Sequence, residues 1–390
     1  MRYRVLSGDG RRLMRDFCRL ADLLYRSDPL YVRPFDRYLR LVLDPGRNPY
    51  FSSATRECFV CYLDRTPVAR VVITINPAYA EAGRPRALFG FFESINDREA
   101  VQALFDHASS YLRQRGLNRI EGPFNPHHYA ELGMQLDRFD VPPTFFQPYN
   151  PPYYNALMEE AGFSVDKILH TRRNPSIGAT LRALGPARQR GRDGLVVRPF
   201  KACELRGELE KIRLVYNDAF RQNWAFLPVS LDEYLFNAQF LRYVTDPSLS
   251  IIVEERGEPL GALQCVLDIN PLLRQCRGRY RPLPLMRLML GRRKVNTLVV
   301  FAVGVRHSAR SRGVAGLLFE AFRQMAARYE AVETTWMSPE NLMMIRIAER
   351  LDLRPDKQFA IYAKDITPAP VTKPSRFSAR ETPETEKRSH

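Results

Sequence analysis

The sequence has no uncharged apolar run of the roughly 18 residues that a helical membrane span requires. It also lacks a secretory segment: no apolar stretch follows "MRYRVLSGDGRRLMRDF", and the Arg11-Arg12 pair is followed by acidic and polar residues instead of the apolar region of a twin-arginine signal. The chain therefore reads as cytoplasmic. Its six cysteines, at 18, 58, 61, 203, 265 and 276, are too scattered for a disulfide framework. Cys58-x-x-Cys61 has no second pair at ligand spacing, and on a strand residues i and i+3 face opposite ways, so the reading is buried thiols and no metal. Acid is short as well. Forty-three Asp and Glu against fifty-nine Lys and Arg leave a formal charge of +16, which favours a phosphate-bearing partner: nucleic acid, an anionic membrane or a polyanionic cofactor.

At 390 residues the chain exceeds one ordinary core and suits two domains. An internal repeat supports that division. "CFVCYLDRTPVARVVITINP" (58–77) reads as a hairpin with its turn at Arg65-Thr66-Pro67, and "SIIVEERGEPLGALQCVLDINP" (250–271) repeats the plan with its turn at Gly257-Glu258-Pro259. After the first hairpin come the strand "RALFGFFES", the helix "REAVQALFDHASSYLRQRG" and the strand "NRIEGPF". After the second come "NTLVVFAVGV", the helix beginning near Val314, and "EAVETTWM". "YYNALMEEAGF" and "NLMMIRIAERLDL" supply the last helix of each half, and "FAIYAKDI" closes the second. The Gly-, Pro- and Arg-rich stretch at 175–194 is the expected linker, and the polar, Pro-rich tail at 367–390 is expected to be disordered.

"VGVRHSARSRGVAGLLFEAF" (303–322) is a strand that ends in a glycine-containing loop and opens directly onto a helix. Such a junction exposes free backbone N–H groups beside the positive end of a helix dipole, which makes an anion site. Gly313 lets the backbone approach a phosphate, Ala315 is nearly as small, and Arg310 and Arg312 add charge. The alternative is an Arg-rich surface turn before an ordinary helix. Leu318, Phe322, Met325 and Tyr329 then recur at helical spacing, giving that helix an apolar face.

Arg310-x-x-Gly313-x-Ala315 after that strand resembles the acyl-CoA-binding motif of the GNAT superfamily of acyl-CoA N-acyltransferases. The resemblance implies an α+β or α/β fold of two tandem GNAT-like domains, each a mixed, mainly antiparallel sheet flanked by helices. The first, degenerate domain would span 1–174 and the acyl-CoA-binding domain 195–366. Acyl-CoA would be the co-substrate, its pyrophosphate on Arg310, Ser311, Arg312, Gly313, Val314 and Ala315, and its pantetheine arm along Phe301, Val303 and Val305. In the downstream helix the family pattern is Asn, Tyr seven residues later, and Gly-Phe. Asn341 fits, whereas Ala348 and Asp352-Leu353 depart from it where the usual general acid stands. In the first half, Gly162-Phe163 matches, but "SINDREAV" replaces the phosphate loop and its Asp97 and Glu99 would repel a pyrophosphate.

An amine acceptor must lose a proton before attack, since an alkylammonium has a pKa of about 10, whereas a thiolate leaving group with a pKa near 8.5 needs little acid help. For the base the sequence offers Glu333, Glu93, and the "NPHHYAE" loop with His127, His128 and Glu131. Glu333 pointing to solvent and the histidines as surface loop residues are the competing readings. The segment "LLRQCRGRYRPLPLMRLMLGRRKV" interleaves Leu and Met with Arg274, Arg277, Arg279, Arg281, Arg287, Arg292, Arg293 and Lys294. It suits a membrane-surface element, nucleic-acid contact or a helix packed on its own domain. The whole chain is similar to a class of bacterial double-GNAT proteins related to bacterial ceramide synthases. That resemblance points to a long-chain lipid amine as acceptor. A small-molecule, protein or RNA amine, or a CoA- or lipid-binding module without catalysis, are the other readings.

Overall fold

The structure, a computed structural model, describes residues 3–185, 194–241, 246–276, 278 and 282–366. The 367–390 tail, eight residues of the expected linker (186–193), and Arg277, Arg279 and Arg281 lie outside the described residues, as do the side chains of Leu283, Leu285 and Arg287.

In the first half, β1 (Tyr3–Ser7) precedes α1 (Arg11–Leu24) and α2 (Asp36–Val42). The hairpin β2 (Thr55–Leu63) and β3 (Thr66–Ile75), the one-turn α3 (Ala78–Glu81) and β4 (Ala87–Ser94) follow, then α4 (Arg98–Arg113) and β5 (Arg119–Gly122). Three two-residue strands, β6 (Phe124–Asn125), β7 (Glu131–Leu132) and β8 (Met134–Gln135), lead to α5 (Tyr153–Glu160), β9 (Ser164–Asn174) and α6 (Ile177–Ala183). The second half runs β10 (Leu195–Pro199), α7 (Leu205–Phe220), α8 (Leu231–Leu241), the hairpin β11 (Ser250–Glu255) and β12 (Glu258–Leu267), then α9 (Asn270–Cys276) and α10 (Pro282–Gly291). It ends with β13 (Thr297–Val305), α11 (Val314–Ala326), β14 (Ala331–Thr334), α12 (Leu342–Arg350) and β15 (Arg354–Asp365).

The repeat read from the two hairpins is present in space. Both turns lie earlier than expected, at Asp64-Arg65 and Arg256-Gly257. Asp64, Arg256 and Gly257 carry positive φ of 55°, 49° and 83°, as tight hairpin turns need, and the prolines fall inside the returning strands instead. β2 and β3 are buried on both faces because helices cover each side. α1 places Leu13 and Phe17 on one face of the sheet with Cys58, Val60 and Val72, and α4 packs on the other with Phe59, Val71 and Ile73. Cys58 and Cys61 are both buried free thiols.

Thirteen of the strands form one mixed sheet in the order β1-β2-β3-β4-β5-β15-β9-β14-β13-β12-β11-β10, with β8 also on β15, and β6 and β7 pair as a separate two-stranded ribbon. Its centre exchanges closing strands. β15, from the end of the chain, lies against β5 of the first half, while β9, from the first half, lies against β14 of the second. The two closing strands pair antiparallel between them. Part of the expected linker is also structural: α6 buries Ile177 and Leu181 in the second core, with Leu263 and Leu298.

Candidate functional site

β13 runs parallel to β14 for four registered pairs, from Thr297 with Ala331 to Val300 with Thr334. Opposite β12, Cys265 faces Val300 and Gln264 faces Ala302, so Phe301 is an extra residue on β13. Such a bulge bends and twists the strand that carries it. Beyond Val300, among the described residues, β13 has no strand partner on the β14 side. Thr335 sits in the fork, donating from its N–H to Val300 O (3.1 Å) and from its hydroxyl to Phe301 O (3.0 Å).

Two glycines let helices close on this strand pair. A Cβ on Gly304 would stand 2.9 Å from Ala219 Cβ of α7, and one on Gly261 would stand 2.5 Å from Val314 Cγ1 of α11. Between the fork, α7, α11 and α12 lies a cavity of about 460 Å³. Val303, Gly304 and Val305 line it from β13, Phe220 and Asn223 from the α7 end, and Leu342, Met343 and Ile347 from α12. Arg310, Ala315 and Asn341 line it as well.

Gly313 has φ 78°, the left-handed conformation, and is the uncapped residue before α11. Its carbonyl takes the N–H groups of Gly316 and Leu317 at 3.1 and 3.2 Å, so those of Val314 and Ala315 have no intrahelical acceptor. Arg312 is directed elsewhere, to Glu255 at 2.5 Å. The corresponding junction in the first half is closed by its own side chain. Asp97 caps α4 by accepting the Ala100 N–H at 3.1 Å, and the Tyr3 hydroxyl donates to its other oxygen.

Of the residues read from the sequence, Val303, Val305, Arg310, Ala315 and Asn341 converge on the cavity. Asn341 also caps α12, accepting the Met344 N–H at 3.3 Å. Phe301 instead packs edge-on against Phe146 of the first half, with centroids 4.8 Å apart.

The acid–base candidates separate sharply. Glu333 alternates with Thr334, which lines the cavity, and so faces the opposite side of the sheet. It is 1% exposed, far from the solvent-facing reading. Thr144 donates to one of its oxygens at 2.7 Å, Gln147 donates to the other, and Lys357 lies 3.7 Å away. Glu93 is held in the first half, where Tyr25 and Tyr154 donate to it at 2.8 and 2.7 Å. Burial pushes its carboxyl up, against the opposing charge of Arg70. His127 is buried, not a surface residue, and stacks on Tyr129 with centroids 3.5 Å apart; burial drives its imidazole well below the ordinary value. His128 accepts the Leu227 N–H at 3.4 Å and is lowered to about 3, chiefly by burial with Arg84 adding repulsion.

Glu131 is different. Burial raises its carboxyl to about 7, against a weaker opposing hydrogen bond from Asn125. Its registered partner Asn125 follows Phe124, whose ring stacks on Trp224 at 5.8 Å, and Trp224 adjoins cavity-lining Asn223. The sequence reading missed α7 and the Trp224 loop altogether. Only Gly304, an odd residue for a strand interior, signals that a helix comes close there.

No family model matches the chain. Protein YghO of Escherichia coli strain K12 is 26% identical over 367 residues, covering 90% of this chain and 93% of that protein. The bacterial ceramide synthase of Caulobacter vibrioides is 26% identical over 364 residues, covering 90% and 95%. Among solved structures, the tandem GNAT protein from the clavulanic acid biosynthesis pathway aligns with a TM-score of 0.55 at 12% identity, over 94% of this chain and all of that one. The fold is that of a tandem GNAT protein.

Proposed function

We propose that the chain is an acyl-CoA-dependent N-acyltransferase whose second half holds the thioester. The carrying observation is the asymmetry between the halves: the α11 junction has a left-handed glycine, free amides and Arg310 lining a cavity, whereas Asp97 occupies the α4 junction. Pyrophosphate would sit on Arg310 and the amides of Ser311 to Ala315, and the pantetheine arm would follow the unpaired edge of β13. Calorimetry with coenzyme A tests this: Arg310→Ala is expected to weaken binding by about tenfold or more, the scale of a lost charge-assisted contact. Unchanged affinity would remove the reading.

For the base we assign Glu131. In the step, the amine nitrogen bonds to the thioester carbonyl carbon, the C–S bond breaks to release the CoA thiolate, and Glu131 takes the amine proton. A carboxylate raised by burial to about 7 suits that work at neutral pH.

For the acceptor we infer a lipid amine, from the likeness to a bacterial ceramide synthase and from the exposed side of α10. Met286, Met289 and Leu290 are 51%, 49% and 66% exposed, beside exposed Arg293 and Lys294, while Leu288 anchors the helix in the core. Apolar tips backed by cations suit an anionic membrane surface. Thiol release from acyl-CoA, compared between a long-chain and a short polar amine, tests the acceptor; equal rates would refute the lipid preference.

A further inference from the structure

Far along the chain from the α11 loop, α1, α2 and β2 enclose a concavity of about 740 Å³. Arg11, Arg12, Arg15, Arg40 and Arg56 line it, with Asp9 and Asp44 as its acids. Five arginines against two carboxylates leave the lining of the hollow with an excess of positive charge. Asp44 is engaged by Arg47, outside the hollow, at 3.6 Å and by the Gly46 N–H at 2.9 Å. Arg15 turns to Asp16 at 3.2 Å. Among the described residues, Arg11, Arg12 and Arg40 make no hydrogen bond or ion pair.

Arg56 is held in place by bonds that leave a guanidinium nitrogen over. Its Nε donates to Leu43 O and its Nη1 to Cys58 Sγ at 3.2 Å, which fixes the plane of the group at the floor of the hollow. The remaining Arg56 nitrogen can donate to a phosphate oxygen, and the other arginines of the concavity add further charge-assisted donors.

We propose that this arginine hollow is a binding site for a phosphate group, distinct from the coenzyme loop and independent of the transferase reading. The phosphate is carried either by a phospholipid headgroup or by free phosphate, and the two are separable by experiment. Inorganic phosphate is titrated into the full chain by calorimetry at fixed ionic strength, for wild type, Arg11→Gln with Arg40→Gln, and Arg310→Ala in parallel so that phosphate held at the α11 loop is counted separately.

Saturable binding by wild type and Arg310→Ala, weakened by about tenfold for each arginine neutralised in the hollow, is expected. The circular dichroism melt stays unchanged in Arg11→Gln/Arg40→Gln, which shows that the variant is folded. Sedimentation with phosphatidylcholine vesicles, with and without phosphatidylglycerol, then identifies the carrier. Loss of phosphatidylglycerol-dependent binding in the same variant assigns the lipid headgroup, and retained vesicle binding with lost phosphate binding assigns the free anion. Phosphate that does not saturate on wild type, or that binds the double variant equally well, overturns the proposal.

Discussion

Gly313 is a single residue on which two requirements meet: a backbone turned to φ 78° and an open approach to the first amides of α11. Left-handed φ costs an ordinary L-residue roughly 1–2 kcal/mol, and more for a β-branched one. Gly313→Val is therefore expected to lower the melting temperature and abolish measurable coenzyme A binding, while Gly313→Ala shows a smaller loss of both; calorimetry on the two variants checks the order. Glu131 carries the second prediction at this scale. Its folded pKa of about 7 lies above the ordinary 4.5, so the stability it contributes is complete below pH 4.5 and is lost as pH rises through 7. The full shift corresponds to at most about 3 kcal/mol. Between pH 5 and pH 8, Glu131→Gln is expected to gain stability relative to wild type, read by urea denaturation. Activity should move oppositely, because the deprotonated, less stable form is the one that accepts a proton. Wild-type turnover falls below about pH 7, and the Gln variant lacks that limb. A stability gap that does not change with pH would show that the carboxyl is not held near neutrality.

At the scale of elements, α4 and α11 are the same helix in the two halves with opposite N-termini, one closed by Asp97 and one left open at Gly313. Asp97→Ala is expected to cost about 1 kcal/mol of stability through loss of the cap, and to leave coenzyme A binding unaltered, since no glycine replaces it. Denaturation of that variant alongside a coenzyme titration checks both halves of the statement. This difference was legible in the sequence, because capping residues and left-handed glycines act within a few positions of where they stand. The hairpins were legible for the same reason, although Thr66-Pro67 and Glu258-Pro259 drew their turns too far along when Asp64 and Gly257 supply the positive φ. Pairings between distant segments were not legible. Glu333 looks like a free carboxylate on a strand until Thr144 and Gln147, nearly two hundred residues earlier, arrive with their donors. Likewise, nothing near Glu131 in the sequence announces Trp224 beyond the ribbon, and α6 hides in a Gly- and Arg-rich stretch because only Ile177 and Leu181 face the core.

For the molecule as a whole, the exchange of closing strands makes two similar halves into one folding unit. The first core includes Ala360, Tyr362 and Ile366 from the end of the chain, and the second includes Ile177 and Leu181 from the segment after β9. Phe359, Ile361 and Tyr362 are each at most 1% exposed, and burying such a side chain contributes about 1.5–3 kcal/mol. Removing β15 thus withdraws several kcal/mol from a fold whose total stability is on the order of 5–15 kcal/mol, and it leaves β5 and the long β9 without the strand between them. Residues 1–174 made alone are therefore expected to lack a cooperative thermal transition as a monomer, and the same holds for a chain ending at Arg350. Residues 1–185 and 194–390 made together should instead copurify as one complex, because β9 and β15 can still cross between them. Circular dichroism melts of each piece, and affinity capture of one by a tag on the other, give the answer. A cooperatively folded monomer of 1–174 would show that the first half closes its own sheet, and that the exchange is not what joins the two.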